Sequence, residues 1–214
     1  MAEIIPYSPD ALPHLIRRVS ERLYQGGIVA IPTETFYGLA VDPFDEAAVE
    51  RLRRLKGRED GKPILVLIGS MDQLPLLARE VPSIAKILIE AFWPGPLTIL
   101  FPAVPALPVN LTAGTGLVGI RLSSSKPLMA LLAHVGPLTG TSANLAAQPP
   151  ARTAMMVEQA LGQEVDLIVD AGTTAGGLPS TVIDVQQPLR VVRDGAVTRQ
   201  MIQNVLQTHG ISLV

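Results

Sequence analysis

An α/β fold with strands buried on at least one face is predicted by three features of the sequence. Short β-branched or apolar runs alternate with helix-length segments along the whole chain, the pattern of strands crossed by helices. Most of these runs are nearly continuous in apolar residues, as strands covered on both faces are. The 18 glycines and 19 prolines of the 214 residues fall at junctions between runs, where they end one element and start the next.

The first helix spans residues 10–25, has helical apolar spacing and is closed by Gly26-Gly27. The run IVAIP follows as a strand. A helix over 45–56 starts at Asp45, a residue suited to an N-cap. PILVLIG reads as a strand, and 82–93 as a helix that ends before Pro94. PLTILFP, LVGIRL, PLTGTS, DLIVDAG, STVIDV and LRVVRD complete the strands, with helices over 125–136 and 198–210. The segment 145–153, LAAQPPART, is expected to be the loosest.

Composition narrows the function. With 48% hydrophobic residues the chain can bury a sizeable core. A net charge of −2 gives no general attraction for polyanions, so any basic site must be local. There is no cysteine, which excludes disulfides and thiolate metal sites. The first residues show no charged segment leading into an apolar core, and the greasiest stretch, 84–104, is broken by Lys86, Glu90 and prolines. A cytoplasmic protein without a membrane span is expected.

Two nucleotide motifs are only approximated. GREDGK has three residues between its glycines, continues into Pro63 and precedes a strand, where a P-loop would open a helix. GTGLVG (114–119) matches a dinucleotide fingerprint in letters but runs into a strand. His14, His134 and His209 lie in or beside helices with neither metal-ligand nor triad spacing, so no resident metal is expected.

Polar clusters at strand ends are more telling. PTETFYG (32–38) holds Thr33, Glu34, Thr35 and Tyr37; TSAN (141–144) holds Thr141, Ser142 and Asn144; Ser180 and Thr181 open STVIDV; Arg121 and Arg193 end two strands. Each alone is ordinary turn or cap chemistry. Together they suit one crevice outside the ends of the strands. Between helix and strand lies LKGREDGKP, where Lys56, Arg58 and Lys62 alternate with glycines and acids. In an extended segment Lys56 and Arg58 face the same way.

PTETFYGLA, Lys56-Gly57-Arg58, KPILVL, FWPGPLT, VGIR, Ser142-Ala143-Asn144 and PSTVID occur in order over residues 32–184. With these words the chain resembles the YrdC-like threonylcarbamoyl-AMP synthase family in its short bacterial form. The resemblance implies a single YrdC-like domain over 1–214, with a motif-bearing core at about 8–196 and a C-terminal helix at about 197–209. Its fold would be a twisted, open mixed sheet flanked by helices, with a concave, positively charged groove. The implied reaction joins L-threonine, bicarbonate and ATP into threonylcarbamoyl-AMP and pyrophosphate, the first step of tRNA threonylcarbamoyladenosine modification. Magnesium would arrive with ATP, and a separate tRNA threonylcarbamoyl-transfer complex would take the product.

By the same resemblance Lys56, Arg58, Ser142 and Asn144 are catalytic. Thr33, Thr35, Tyr37, Arg121 and Ser180 lie on the threonine side, with Arg121 suited to the carboxylate. Arg58, Lys62, Ser142, Asn144 and Arg193 contact the nucleotide. Cations fixed around the phosphates would stabilise charge that develops on departing pyrophosphate. Leu67 and Pro150 stand where longer members carry histidine and serine. The YciO-like branch tends to lose both K-x-R and S-x-N, which are intact here. Two other readings remain open: a protein that binds tRNA or double-stranded RNA in the groove, and an enzyme handling carbamoyl-adenylate. Weak tRNA binding is compatible with the synthase reading.

Overall fold

The computed structural model describes residues 2–57, 63–145, 148–186 and 188–213. Its strands form two sheets. The first contains β1 (Glu3–Pro6), β2 (Val29–Pro32), β3 (Tyr37–Ala40), β8 (Thr141–Ser142) and β9 (Leu167–Asp170), in the order β1-β9-β2-β3-β8. The second contains β4 (Val66–Ile68), β5 (Leu97–Pro102), β6 (Leu117–Leu122), β7 (Leu138–Thr139), β10 (Thr181–Asp184) and β11 (Arg190–Arg193), in the order β11-β10-β5-β6-β4-β7. Both mix parallel and antiparallel pairs; β9 runs parallel to β1 and β2, while β3 runs antiparallel to β2 and β8. The expected open mixed α/β architecture is present, divided into two sheets.

Seven α-helices among the described residues surround them: α1 (Leu12–Tyr24), α2 (Glu46–Leu55), α3 (Ser83–Phe92), α4 (Val109–Thr112), α5 (Lys126–Val135), α6 (Ala154–Leu161) and α7 (Arg199–Gln207). Helix α1 buries Leu15, Val19 and Leu23, one residue per turn. Together with Leu128, Leu131 and Leu132 of α5, these pack on Val29 and Ile31 of β2 and Leu167 and Val169 of β9. The alternate residues Ala30 and Ile168 point into a larger cluster with Val49 and Leu52 of α2, Leu88 of α3 and Ile202 of α7. Strands β2 and β9 are therefore covered on both faces, which is why their sequences are apolar without alternation. Arg18 and Arg22 of α1 reach Glu3 of β1 at 2.7 and 3.1 Å, and the hydrogen bond from Arg18 is the largest influence holding that carboxylate below its ordinary pKa.

The predicted helices appear at their places, and Asp45 caps α2 by accepting from the N–H groups of Ala47 and Ala48 at 2.9 and 3.0 Å. PLTGTS differs from its expected single strand. Residues 138–139 pair with β4 in the second sheet, and residues 141–142 pair with β3 in the first. Gly140 makes the crossing, donating to the Leu65 carbonyl at 2.8 Å. A Cβ there would lie 2.6 Å from Leu67 Cδ1 and 2.7 Å from its Cγ, and Leu67 is wholly buried. A side chain at position 140 must displace core. Gly140→Ala is expected to lower stability by about 1–3 kcal/mol, read as a fall in the urea midpoint; an unchanged midpoint would contradict this packing.

Candidate active site

The K-x-R and S-x-N elements meet at Lys56. This residue caps the C-terminus of α2, and its side chain is buried, 8% of the residue remaining exposed. Its ammonium donates to the Ser142 carbonyl at 2.7 Å, the Asn144 carbonyl, and Asn144 Oδ1 at 2.9 Å. A buried ammonium needs such acceptors, because losing water without replacing it is costly. Ser142 Oγ also donates to Asn144 Oδ1 at 2.6 Å, and Asn144 Nδ2 donates to the Gln148 carbonyl. Ser142, Asn144 and Gln148 are thus linked around one cation. Arg58 and Lys62 lie outside the described residues.

The turn between β2 and β3 stands next to this loop, because Gly38 pairs in register with Ser142. Thr33 Oγ1 donates to the Phe36 carbonyl at 2.7 Å and lies 3.1 Å from Thr35 Oγ1. The Thr35 carbonyl accepts from Gly176 N–H at 2.7 Å. Tyr37 is fully buried, and its hydroxyl donates to the Gly172 carbonyl at 2.8 Å and accepts from Ala171 N–H at 3.3 Å. It ties down the loop after β9.

Arg121 comes from the second sheet, beside Leu67 in register. It is 5% exposed. Its Nη1 faces Glu34 Oε1 at 3.4 Å, an ion pair without hydrogen-bond geometry, and Nε has no partner among the described residues. Burial lowers its pKa, and the neighbouring Glu34 charge opposes that shift. Arginine's ordinary pKa is so high that the group stays charged at neutral pH. A desolvated guanidinium with donors to offer suits a planar anion such as a carboxylate.

Ser180, immediately before β10, is 3% exposed and lies 3.0 Å from Thr98 Oγ1 of β5. Arg193 Nη2 donates to the Ser180 carbonyl at 2.7 Å and to its Oγ at 2.9 Å. Gly195 makes this approach possible, since a Cβ there would sit 2.3 Å from the Pro179 carbonyl oxygen. Arg152 of the PPART segment donates to the Thr174 and Ala175 carbonyls, so the loop that holds Thr35 is itself held.

The structure therefore joins Lys56 with Ser142 and Asn144, Thr33 with Thr35, and Arg193 with Ser180. Arg121 meets Glu34, which lies between the two threonines. Leu67 connects the groups, standing beside Arg121 in register and packing against Gly140 at the start of the S-x-N segment. Sequence reasoning named Glu34 in the PTETFYG cluster without giving it a role, and passed over Ser123, Thr98 and Arg152. Glu34 had a signal, as the only ionisable residue in PTETFYG other than the tyrosine; the others are polar residues without a motif. Among the described residues no three His, Asp or Glu side chains assemble to hold a metal, and no helix is long and apolar enough to cross a membrane.

Residues 21–195 match the Sua5/YciO/YrdC family, described as "Telomere recombination". The chain belongs to this family. It is 35% identical over 193 residues to the threonylcarbamoyl-AMP synthase of Pyrococcus abyssi, covering 89% of this chain and 57% of that protein. A putative threonylcarbamoyl-AMP synthase of Mycobacterium tuberculosis is 36% identical over 189 residues, covering 88% of this chain and 87% of its own length. Among solved structures, Pyrococcus abyssi Sua5 complexed with L-threonine superposes with a TM-score of 0.89 at 31% identity, covering all of this chain and 62% of that one. This Sua5/YciO/YrdC chain thus spans little more than half of the archaeal relative and most of the mycobacterial one.

Burial pushes the Tyr37 pKa up from 10.0 to about 12, the Ala171 N–H opposing and Asp170 adding to the rise. The folded chain favours the neutral phenol, so the linked stability is complete below pH 10.0 and is lost as pH climbs through about 12. Tyr37→Phe is expected to remove this alkaline loss while costing about 1 kcal/mol at pH 7 through the missing hydrogen bond. Urea melts at pH 7 and across the alkaline range check both signs.

Proposed function

We propose that this chain is an L-threonylcarbamoyl-AMP synthase, with Arg121 receiving the carboxylate of threonine. The observation that carries the reading is the Arg121 guanidinium, buried, charged and without a hydrogen bond among the described residues. Thr35 and Ser180, assigned to the same ligand, are both buried and oriented by other partners. Relatives named for the same synthase activity, and a similar structure that holds L-threonine, support it.

In this reading the threonine amine attacks bicarbonate, water leaves, and a carbamate forms. A carbamate oxygen then attacks the α-phosphorus of ATP, and pyrophosphate departs with the bonding electron pair. No protein nucleophile is required. The chain holds two reactants together, keeps water from a fragile carbamate and opposes the growing negative charge. Arg58 and Lys62 meet the phosphates, and Ser142 and Asn144 meet the nucleotide. Lys56 serves mainly through those two residues, since its ammonium protons point at their oxygens. Arg193 orients Ser180 and borders the nucleotide. Thr33 shapes the threonine side, while Tyr37 supports it from the core.

Magnesium enters as part of the substrate, carried by the phosphates and water. The groove around these residues is positively charged at the K-x-R segment, the chain acts in the cytoplasm as a single YrdC-like domain, and the unstable product passes to a tRNA threonylcarbamoyl-transfer complex. Weak contact with tRNA is compatible with that transfer.

The test is pyrophosphate release by the purified chain with ATP and magnesium, adding or omitting threonine and bicarbonate. Release is expected only when both are present. Release indifferent to threonine would favour carbamoyl-adenylate chemistry, and no release with tight, salt-sensitive RNA binding would favour the RNA reading. Arg58→Ala is expected to lower kcat/KM by about 100-fold or more, and undiminished turnover in the folded variant would remove Arg58 from the phosphate site.

A further inference from the structure

Glu34 occupies an unusual position. It lies in the turn between β2 and β3 of the first sheet, with 13% of its side chain exposed, yet it faces Arg121 of the second. One oxygen, Oε2, accepts from Ser123 Oγ. The other, Oε1, stands 3.4 Å from Arg121 Nη1 and has no hydrogen-bond partner among the described residues. Charge-assisted hydrogen bonds close at about 2.7–2.9 Å, so this contact attracts the guanidinium without engaging its N–H groups.

Ser123 is itself fixed. It is wholly buried, and its Oγ also accepts from Ser125 N–H at 3.2 Å. Ser125 Oγ donates in turn to the Pro32 carbonyl at 3.4 Å, at the base of the turn that carries Glu34. The turn and the segment after β6 therefore brace each other, and the Glu34 carboxylate has a defined direction. Ionised groups left unsatisfied in the interior are destabilising, and they persist where a ligand completes them. Here the incomplete atoms are Glu34 Oε1 and Arg121 Nε, on the two members of one pair.

We propose that Glu34, aimed by Ser123, is a positioning residue that sets the orientation of Arg121, leaving the Nε edge of the guanidinium for a ligand carboxylate. With Glu34 against Nη1, a second carboxylate is repelled from that side and directed to the Nε edge, where two parallel N–H groups can receive it. The pair also offsets the two buried charges against each other, so Arg121 can remain buried. This inference rests on the assignment of Arg121 to the threonine carboxylate.

Three variants test it by steady-state kinetics, thermal melting and direct calorimetric titration with L-threonine. Glu34→Gln is expected to raise the threonine KM by about 10-fold or more, as misplacing a binding group does, with kcat and the ATP KM little changed. Glu34→Asp should recover part of the loss, because it restores the charge. Ser123→Ala keeps every charge and should weaken threonine binding, with the melting temperature falling only by the few degrees that lost buried hydrogen bonds cost. Should Glu34→Gln fail to fold, the aspartate and Ser123 variants decide.

Threonine binding in Ser123→Ala and Glu34→Asp equal to that of the unaltered chain would overturn the positioning role alone. So would a fall in kcat for Glu34→Gln with the threonine KM unchanged. Absence of threonine binding by the unaltered chain would overturn the Arg121 assignment first, and the inference with it.

Discussion

Everything at the candidate site depends on the chain passing from one sheet to the other through a single residue without a side chain. Gly140 ends a strand pair with β4 and begins one with β3, packed on Leu67 with no room for a methyl group. Because of that crossing, the β2–β3 turn, built on the first sheet, meets Arg121, built on the second, through Glu34. Neither sheet alone has both halves. The site is a seam, and the seam is held by close packing and by buried polar contacts.

Those contacts are made by the chain's own groups. Lys56 is surrounded by oxygens of Ser142 and Asn144, Arg193 by those of Ser180, and Arg121 lies opposite Glu34. Preorganised charge of this kind does not have to reorient when substrate charge develops, which is where much of an enzyme's electrostatic advantage arises. The arrangement also separates two uses of a cation. Lys56 shapes a loop, whereas Arg121 leaves its Nε without a hydrogen-bond partner among the described residues.

Much of this was legible in the residues. Apolar runs such as IVAIP and DLIVDAG announced strands covered on both faces, and Asp45 announced the start of α2. Helix α6 was missed because its apolar face is narrow and it follows a proline pair. Strand β1 was missed because only Ile5 of its four residues is buried. PLTGTS read as one strand because periodicity describes which residues are buried and is silent about which neighbour a strand pairs with. At the site, motif spacing named Thr35, Arg121, Ser142 and Ser180 as candidates at strand ends, and the structure joins Ser142 to Lys56 and Ser180 to Arg193. Spacing left open that Lys56 would turn toward Asn144, since the direction of a long flexible side chain is decided by acceptors 86 and 88 residues away. Glu34 and Ser123 became meaningful only when two loops far apart in sequence were found in contact.

Long sequence separation has one more consequence, for how the chain reaches its working shape. The Tyr37 hydroxyl bonds to a carbonyl 135 residues further on, and Lys56 to one 86 residues further on. Each such contact closes a large loop whose entropy must be lost before the contact can repay it, although each doubling of loop length adds only about 0.6 kcal/mol. Local helices and hairpins can form early, but the seam requires both sheets to be present and aligned. No contiguous fragment carrying only the N-terminal or only the C-terminal half can contain it. A chain whose two sheets are not yet aligned lacks the contact between Glu34 and Arg121.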